Sequence, residues 1–196
     1  MTGLSDQMSP GSMNNLIQSG AIAFRVQFAG ERPKKSQLYW RGPVLDDYDG
    51  KTWRTHTLFP RKTDTPPKIT YTGKTFAYVT TLEAHNQSWL LALDLPITLP
   101  EGGILSPTLE TLTRARVRAR TRYSFTSAVD FVANREENPR LLQQALRLPP
   151  KLNPRTIALA QTWQTKLTSA EQISNAALNL FRQEAFFYTL RPPLLN

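Results

Sequence analysis

The spacing of apolar residues changes once along this chain, and that change sets the fold. From residue 21 to about residue 133 apolar side chains return at every second position; after Asn134 they return every three to four. A period of two lines up one face of a strand, whereas 3.6 lines up one face of a helix. The expected fold class is therefore α+β. An N-terminal antiparallel β-sheet domain, a sandwich or open barrel, precedes a C-terminal helical segment.

Within the first part, Ile22, Phe24, Val26 and Phe28 alternate with Ala23, Arg25 and Gln27, the pattern of a half-buried strand. Leu38-Tyr39-Trp40 opens a second strand, and Asp49-Gly50 supplies a tight turn before Lys51-Thr52-Trp53. The prolines of 57–68 mark a loop or irregular edge. Two more strands are predicted over 75–83, with Phe76, Tyr78, Thr80 and Leu82 on one face, and over 88–93. Pro96, Pro100, Gly102, Gly103 and Pro107 are expected to break the stretch that follows.

Residues 111–126 read as the longest strand. Arg114, Arg116, Arg118, Arg120 and Arg122 fall on one face, and Ala115, Val117, Ala119, Thr121 and Tyr123 on the other. Burying an unpaired guanidinium costs several kcal/mol. Arg116, Arg118 and Arg120 are therefore predicted to point outward, with Ala115, Val117, Ala119 and Tyr123 facing the core.

The helical part starts with a short helix over 138–147. Asn153-Pro154 then provides a cap and a first-turn proline for a second helix, striped by Ile157, Ala160 and Leu167. A third begins near Thr168 or Ser169, with Ser169 and Gln172 at capping-box spacing. Ile173, Ala176, Ala177, Leu180 and Phe181 form its apolar face. The final FFYTLRPPLLN is apolar and extended without a cap, so the expectation is that the chain stops inside a domain. The resulting division is 1–20, a polar tether or loosely docked arm; 21–133, the β-rich domain; and 134–196, the helical segment.

The chemistry is bounded first by what is missing. With no cysteine, disulfides, thiolate metal sites and Cys nucleophiles are excluded. His56 and His85 sit in no metal-spacing motif, no phosphate-cradling glycine motif occurs, and no cofactor is expected. Asp46, Asp47 and Asp49 lack the distal acid of a calcium loop and read as turn residues. The net charge of +9 favours an acidic partner, or else reflects a soluble surface.

The five arginines are the candidate binding residues. Either cross-strand acids and water solvate them, or they form a surface for lipid headgroups, a polyanionic envelope polymer or an acidic neighbouring domain. Nucleic acid is the weaker reading, because Tyr123 lies on the opposite face from the arginines. Trp40, Trp53, Trp89 and Trp163 suit core packing better than a sugar-stacking platform. No apolar run is long enough to cross a membrane, and the N-terminus lacks a secretory pattern, so export would depend on an upstream segment.

Five segments in order, TGLSDQMSPGS, QLYWRGPVLDDYDGKTW, NQSWLLALDLP, LPPKLNPRTIALAQTW and FRQEAFFYTLRPPLL, resemble bacterial membrane-anchored transglutaminase-like proteins, sometimes described as cysteine proteases. The resemblance covers nearly the whole chain. It implies a periplasmic region that follows a block of membrane helices, with residues from about 136 onward opening a papain-like core. The family's catalytic Cys, His and Asp lie beyond the segment matched by FFYTLRPPLLN, so no residue here inherits their roles. What it implies is a non-catalytic, extracytoplasmic module of an inner-membrane protein. Its partners would be the downstream core of the same polypeptide and that protein's substrate.

Overall fold

The structure, a computed structural model, describes residues 5–10, 20–55, 59–60, 66–136 and 138–187. His56, most of the proline-rich loop and residues 188–196 lie outside the described residues. The strands run in chain order as β1 (Gln7–Met8), β2 (Phe24–Phe28), β3 (Trp40–Arg41), β4 (Asp47–Tyr48), β5 (Trp53–Arg54), β6 (Ile69–Tyr71) and β7 (Thr75–Leu82). They continue as β8 (Trp89–Leu90), β9 (Ala92–Leu93), β10 (Leu95–Thr98), β11 (Gly103–Leu105), β12 (Thr111–Thr113), β13 (Thr121–Ala128) and β14 (Phe131–Ala133). Helices α1 (Pro139–Ala145), α2 (Pro154–Lys166) and α3 (Ala170–Gln183) close the chain. The fold is α+β, as the two periods require. Its sheets are antiparallel, and among the described residues none closes into a barrel.

The centre is a four-stranded sheet in the order β10-β13-β7-β2. Phe76, Tyr78, Thr80 and Leu82 of β7 turn one face inward, as expected, and Tyr123, Phe125 and Ser127 of β13 turn the same face in. Rings fill the layer beneath: Phe24 meets Trp40 at 5.2 Å, Trp40 meets Tyr78 at 5.5 Å, and Tyr78 meets Phe125 at 5.8 Å. The first two pairs meet edge to face and the third is tilted, and edge-to-face packing adds to the burial itself. Both buried tyrosines keep their hydroxyls bonded. The Tyr78 hydroxyl accepts from the Leu93 N–H and bonds Ser127, and the Tyr123 hydroxyl accepts from the Leu91 N–H.

Several elements differ from expectation. The strand over 88–93 splits: β8 pairs with β12 and β9 with β3, and Leu91 between them bonds a tyrosine instead of a strand. The Pro/Gly stretch still holds two strands, since Pro96 lies on β10, an edge strand where a missing N–H is tolerated. Residues 5–10 include β1, which pairs with β5 beside the Asp49-Gly50 turn. Gly50 takes φ +106°, and a side chain there would strike Leu152. Asn153 starts α2 but does not cap it. It is left-handed, at φ 55°, and donates its amide to the Tyr48 hydroxyl. Asn138 and Ser169 do cap, each accepting from a first-turn N–H.

Candidate functional site

Between β12 and β13 the arginine-rich segment leaves the sheet. The expected continuous strand over 111–126 is replaced by two strands joined by an irregular excursion, 114–120. Val117 explains the departure. Its N–H donates to the Gln87 carbonyl at 2.9 Å, and its carbonyl accepts from the His85 and Asn86 N–H groups at 3.1 and 2.8 Å. Its side chain is 4% exposed, so the loop is pinned to the 85–87 turn by one buried residue. Ala115 and Ala119 are exposed, contrary to the alternating pattern, because Val117 alone in this excursion has the apolar area to reward burial. Val117 and Tyr123 do face the core.

All five arginines are exposed. Arg120 forks onto both carboxylate oxygens of Glu83 at 3.1 Å, and Arg25 binds the same carboxylate. The Arg120 hydrogen bond is the main reason the Glu83 carboxyl titrates below its usual range. Arg116 donates to the Asn86 carbonyl, and Arg114 lies 5.8 Å from the Phe59 ring centre. Arg118 and Arg122 have no ion pair among the described residues. The structure thus brings the loop arginines to one edge of the sheet but does not align them in a ladder. A groove of about 580 Å³ opens there; its polar lining is Arg116, Arg122, Thr98, Thr113, Thr121 and Ser124 with one acid, Glu101, and Leu99 and Pro100 are among its apolar lining.

Beneath the loop, the Nδ1 of His85 accepts from the Gln87 N–H at 3.1 Å, which leaves Nε2 to donate to the Trp89 carbonyl at 3.0 Å. Burial lowers its pKa. The Asp cluster is a turn: the Asp49 carboxylate accepts from the Lys51 and Thr52 N–H groups and pairs with Arg54 at 2.7 Å. Those backbone bonds hold its carboxyl below the ordinary range. Among the described residues no group of His, Asp and Glu is arranged to hold a metal ion. The tryptophans form no common platform. Trp89 is buried, Trp40 belongs to the ring layer, Trp53 stacks on Tyr48 and Trp163 lies on α2.

A second candidate surface is apolar. Helices α2 and α3 contain no buried residue, and between them runs a groove of about 1130 Å³ lined by Leu159, Ala160, Trp163, Leu180, Phe181 and Phe186. Phe181, Phe186 and Phe187 are 57%, 58% and 85% exposed. Charge reading missed a different feature, the placing of Arg25 in line with Arg122 across the sheet. Its signal, polar residues at alternate strand positions, was present, but the register was needed to join them.

A family model described as the TgpA N-terminal domain matches residues 1–132. A curated relative, protein-glutamine gamma-glutamyltransferase of Pseudomonas aeruginosa, is 31% identical over 193 residues. That match covers 98% of this chain and 29% of the relative, so the chain spans under a third of that protein's length. The crystal structure of the periplasmic domain of TgpA from Pseudomonas aeruginosa has a TM-score of 0.91 and 31% identity, over 100% of this chain and 67% of that one. The same domain bound to ethylmercury gives 0.90, over 68% of its chain. With a matching family model over most of its length and a shared fold along all of it, the chain belongs to the TgpA N-terminal domain family.

Proposed function

We propose that this chain is a non-catalytic, extracytoplasmic module of a transglutaminase-like membrane protein, joining a membrane anchor to the catalytic core and orienting that core or gating its substrate. The division into 1–20, 21–133 and 134–196 follows from this reading, with the last segment opening the core. The carrying observation is the exposed apolar surface of α2 and α3. Fully burying a side chain such as Phe or Leu is worth about 1.5–3 kcal/mol. A helix pair with none buried and phenylalanines in water is a surface that fits a partner. A downstream core in the same polypeptide supplies one without loss of translational freedom. The name of the relative supports transfer at glutamine as the activity of the whole protein, and the periplasmic title of the solved structure supports the location. Thiol catalysis requires an activated Cys, and this chain has none.

Hydrogen exchange tests the reading. The chain is compared with a version extended by the residues that follow it in its natural reading frame. Amides of α2 and α3 are expected to gain protection in the longer protein, and unchanged exchange would sink the docking claim. In the same preparations, transfer of an amine to a Gln-containing peptide is expected only from the longer protein.

A further inference from the structure

The central sheet covers the core with one face and leaves the other open. Register sets Arg25, Thr81 and Arg122 abreast on that open face, across β2, β7 and β13, and sets Gln27, Val79 and Ser124 abreast in the neighbouring row. Adjacent strands lie about 4.8 Å apart, so the two arginine positions flank Thr81 at roughly 10 Å. Glu83 at the end of the rows is already engaged by Arg25 and Arg120, whereas Arg122 has no ion pair among the described residues. The groove of about 580 Å³ toward Arg116 and another of about 440 Å³ toward Gln27 share Thr98, Arg122 and Ser124. One furrow therefore runs from the arginine loop past Arg122 and along β13.

We infer that this furrow binds an acidic glycan chain, with a carboxylate or phosphate on Arg122, further acidic groups on the Arg116–Arg118 loop, and sugar hydroxyls on Thr98, Ser124 and Gln27. A guanidinium presents a planar fork to a carboxylate or phosphate, and hydroxyl and amide side chains exchange bonds with a sugar on either side of it. A nucleic acid strand fits less well, since Tyr123 and Phe125 of β13 face the core and leave no ring on which bases stack. An anionic bilayer presents its charge as a plane, which an arginine set in a furrow meets poorly. This site is separate from the apolar helix pair, so its success or failure is independent of the module's linking role.

The test is fluorescence polarisation of a labelled oligogalacturonate with the whole chain at low ionic strength. Saturable binding is expected, and it should weaken by about tenfold in Arg122→Gln through loss of one charge-assisted pair. Ser124→Glu, which sets a carboxylate in the furrow, should weaken it as well. Lys166→Gln on α2 should bind like the parent. Binding should fall from low to physiological salt as screening shortens to about 8 Å. Affinity unchanged by both furrow substitutions, or equal affinity for neutral dextran, would overturn the inference. Arg122-dependent binding to phosphatidylglycerol vesicles or single-stranded DNA, with none to oligogalacturonate, would overturn it too.

Discussion

Glu110 carries its carboxyl group inside the protein, 1% exposed, and among the described residues it makes no ion pair. Four donors replace the water it gave up. Oε1 accepts from the Trp89 indole at 3.1 Å and the Val44 N–H at 2.8 Å, and Oε2 accepts from the hydroxyls of Thr108 and Ser106 at 2.7 and 3.2 Å. Glu110→Gln turns one of these oxygens into a donor facing donors. Each group left unsatisfied costs about 1–3 kcal/mol, so a loss of at least about 2 kcal/mol in urea unfolding is expected. Thr80 is the opposite case. Its hydroxyl is buried without a partner among the described residues, and Thr80→Val should raise stability by about 1 kcal/mol, read as a higher Tm. His85 gives a pH dependence of definite sign. Its folded-state pKa lies below the ordinary 6.5, so the unfolded chain binds the proton more readily. The stability it contributes is therefore present above pH 6.5 and is lost on acidification through the folded value. Unfolding midpoints measured from pH 8 to 4 should show that fall, and His85→Gln should flatten it. The buried tyrosines do not enter this range, with Tyr78 pushed up to about 12 by burial.

At the scale of elements, the legible parts were those whose own residues decided them. Burial alternates along β7 without exception, and the face predicted to turn inward, Phe76, Tyr78, Thr80 and Leu82, is the buried one. Helices α2 and α3 begin at Pro154 and Ala170, beside the Asn153-Pro154 and Ser169 signals, and α1 begins at Pro139 within the expected 138–147. The break at Leu91 was not legible, because its cause is the Tyr123 hydroxyl 32 residues away. The arginine segment misled for a related reason. Arg and Ala in alternation satisfy a period of two, yet alanine faces add little burial, so nothing held that pattern to the sheet against the bonds of Val117 to the 85–87 turn. Arg116, Arg118 and Arg120 are exposed, as expected, whereas the alignment of Arg122 with Arg25 across the sheet needed the pairing partners. Val117→Ala should therefore act locally. Losing two buried methyl groups costs roughly 1.5 kcal/mol. Amide exchange at Asn86 and Val117 should quicken while the paired amides of β13 keep their protection; equal loss in both would show that the loop is not held by this one residue.

For the molecule as a whole, burial and charge divide unequally along the chain. The hydrophobic core is built from residues between Phe76 and Ala128, with β2 and Trp40 packed against it. The helices touch this body at a few points: Gln144 donates to Asp46, Asn153 to Tyr48, and Leu152 lies against Gly50. Two hydrogen bonds of this kind, one part-buried and one exposed, contribute modestly, so they orient the helices without making them part of one cooperative core. Two transitions are expected. In a urea titration the helical signal at 222 nm should fall first, and the near-ultraviolet signal of the packed rings should persist to higher concentration. Leu152→Ser should move the first transition to lower urea and leave the second in place. Phe181→Ser should reduce binding of a hydrophobic dye without shifting the second transition, since Phe181 contacts Phe186 and is remote in sequence and packing from the ring layer. A single transition seen alike by both signals, or a β-domain midpoint displaced by Leu152→Ser, would mean that helices and sheet fold as one unit.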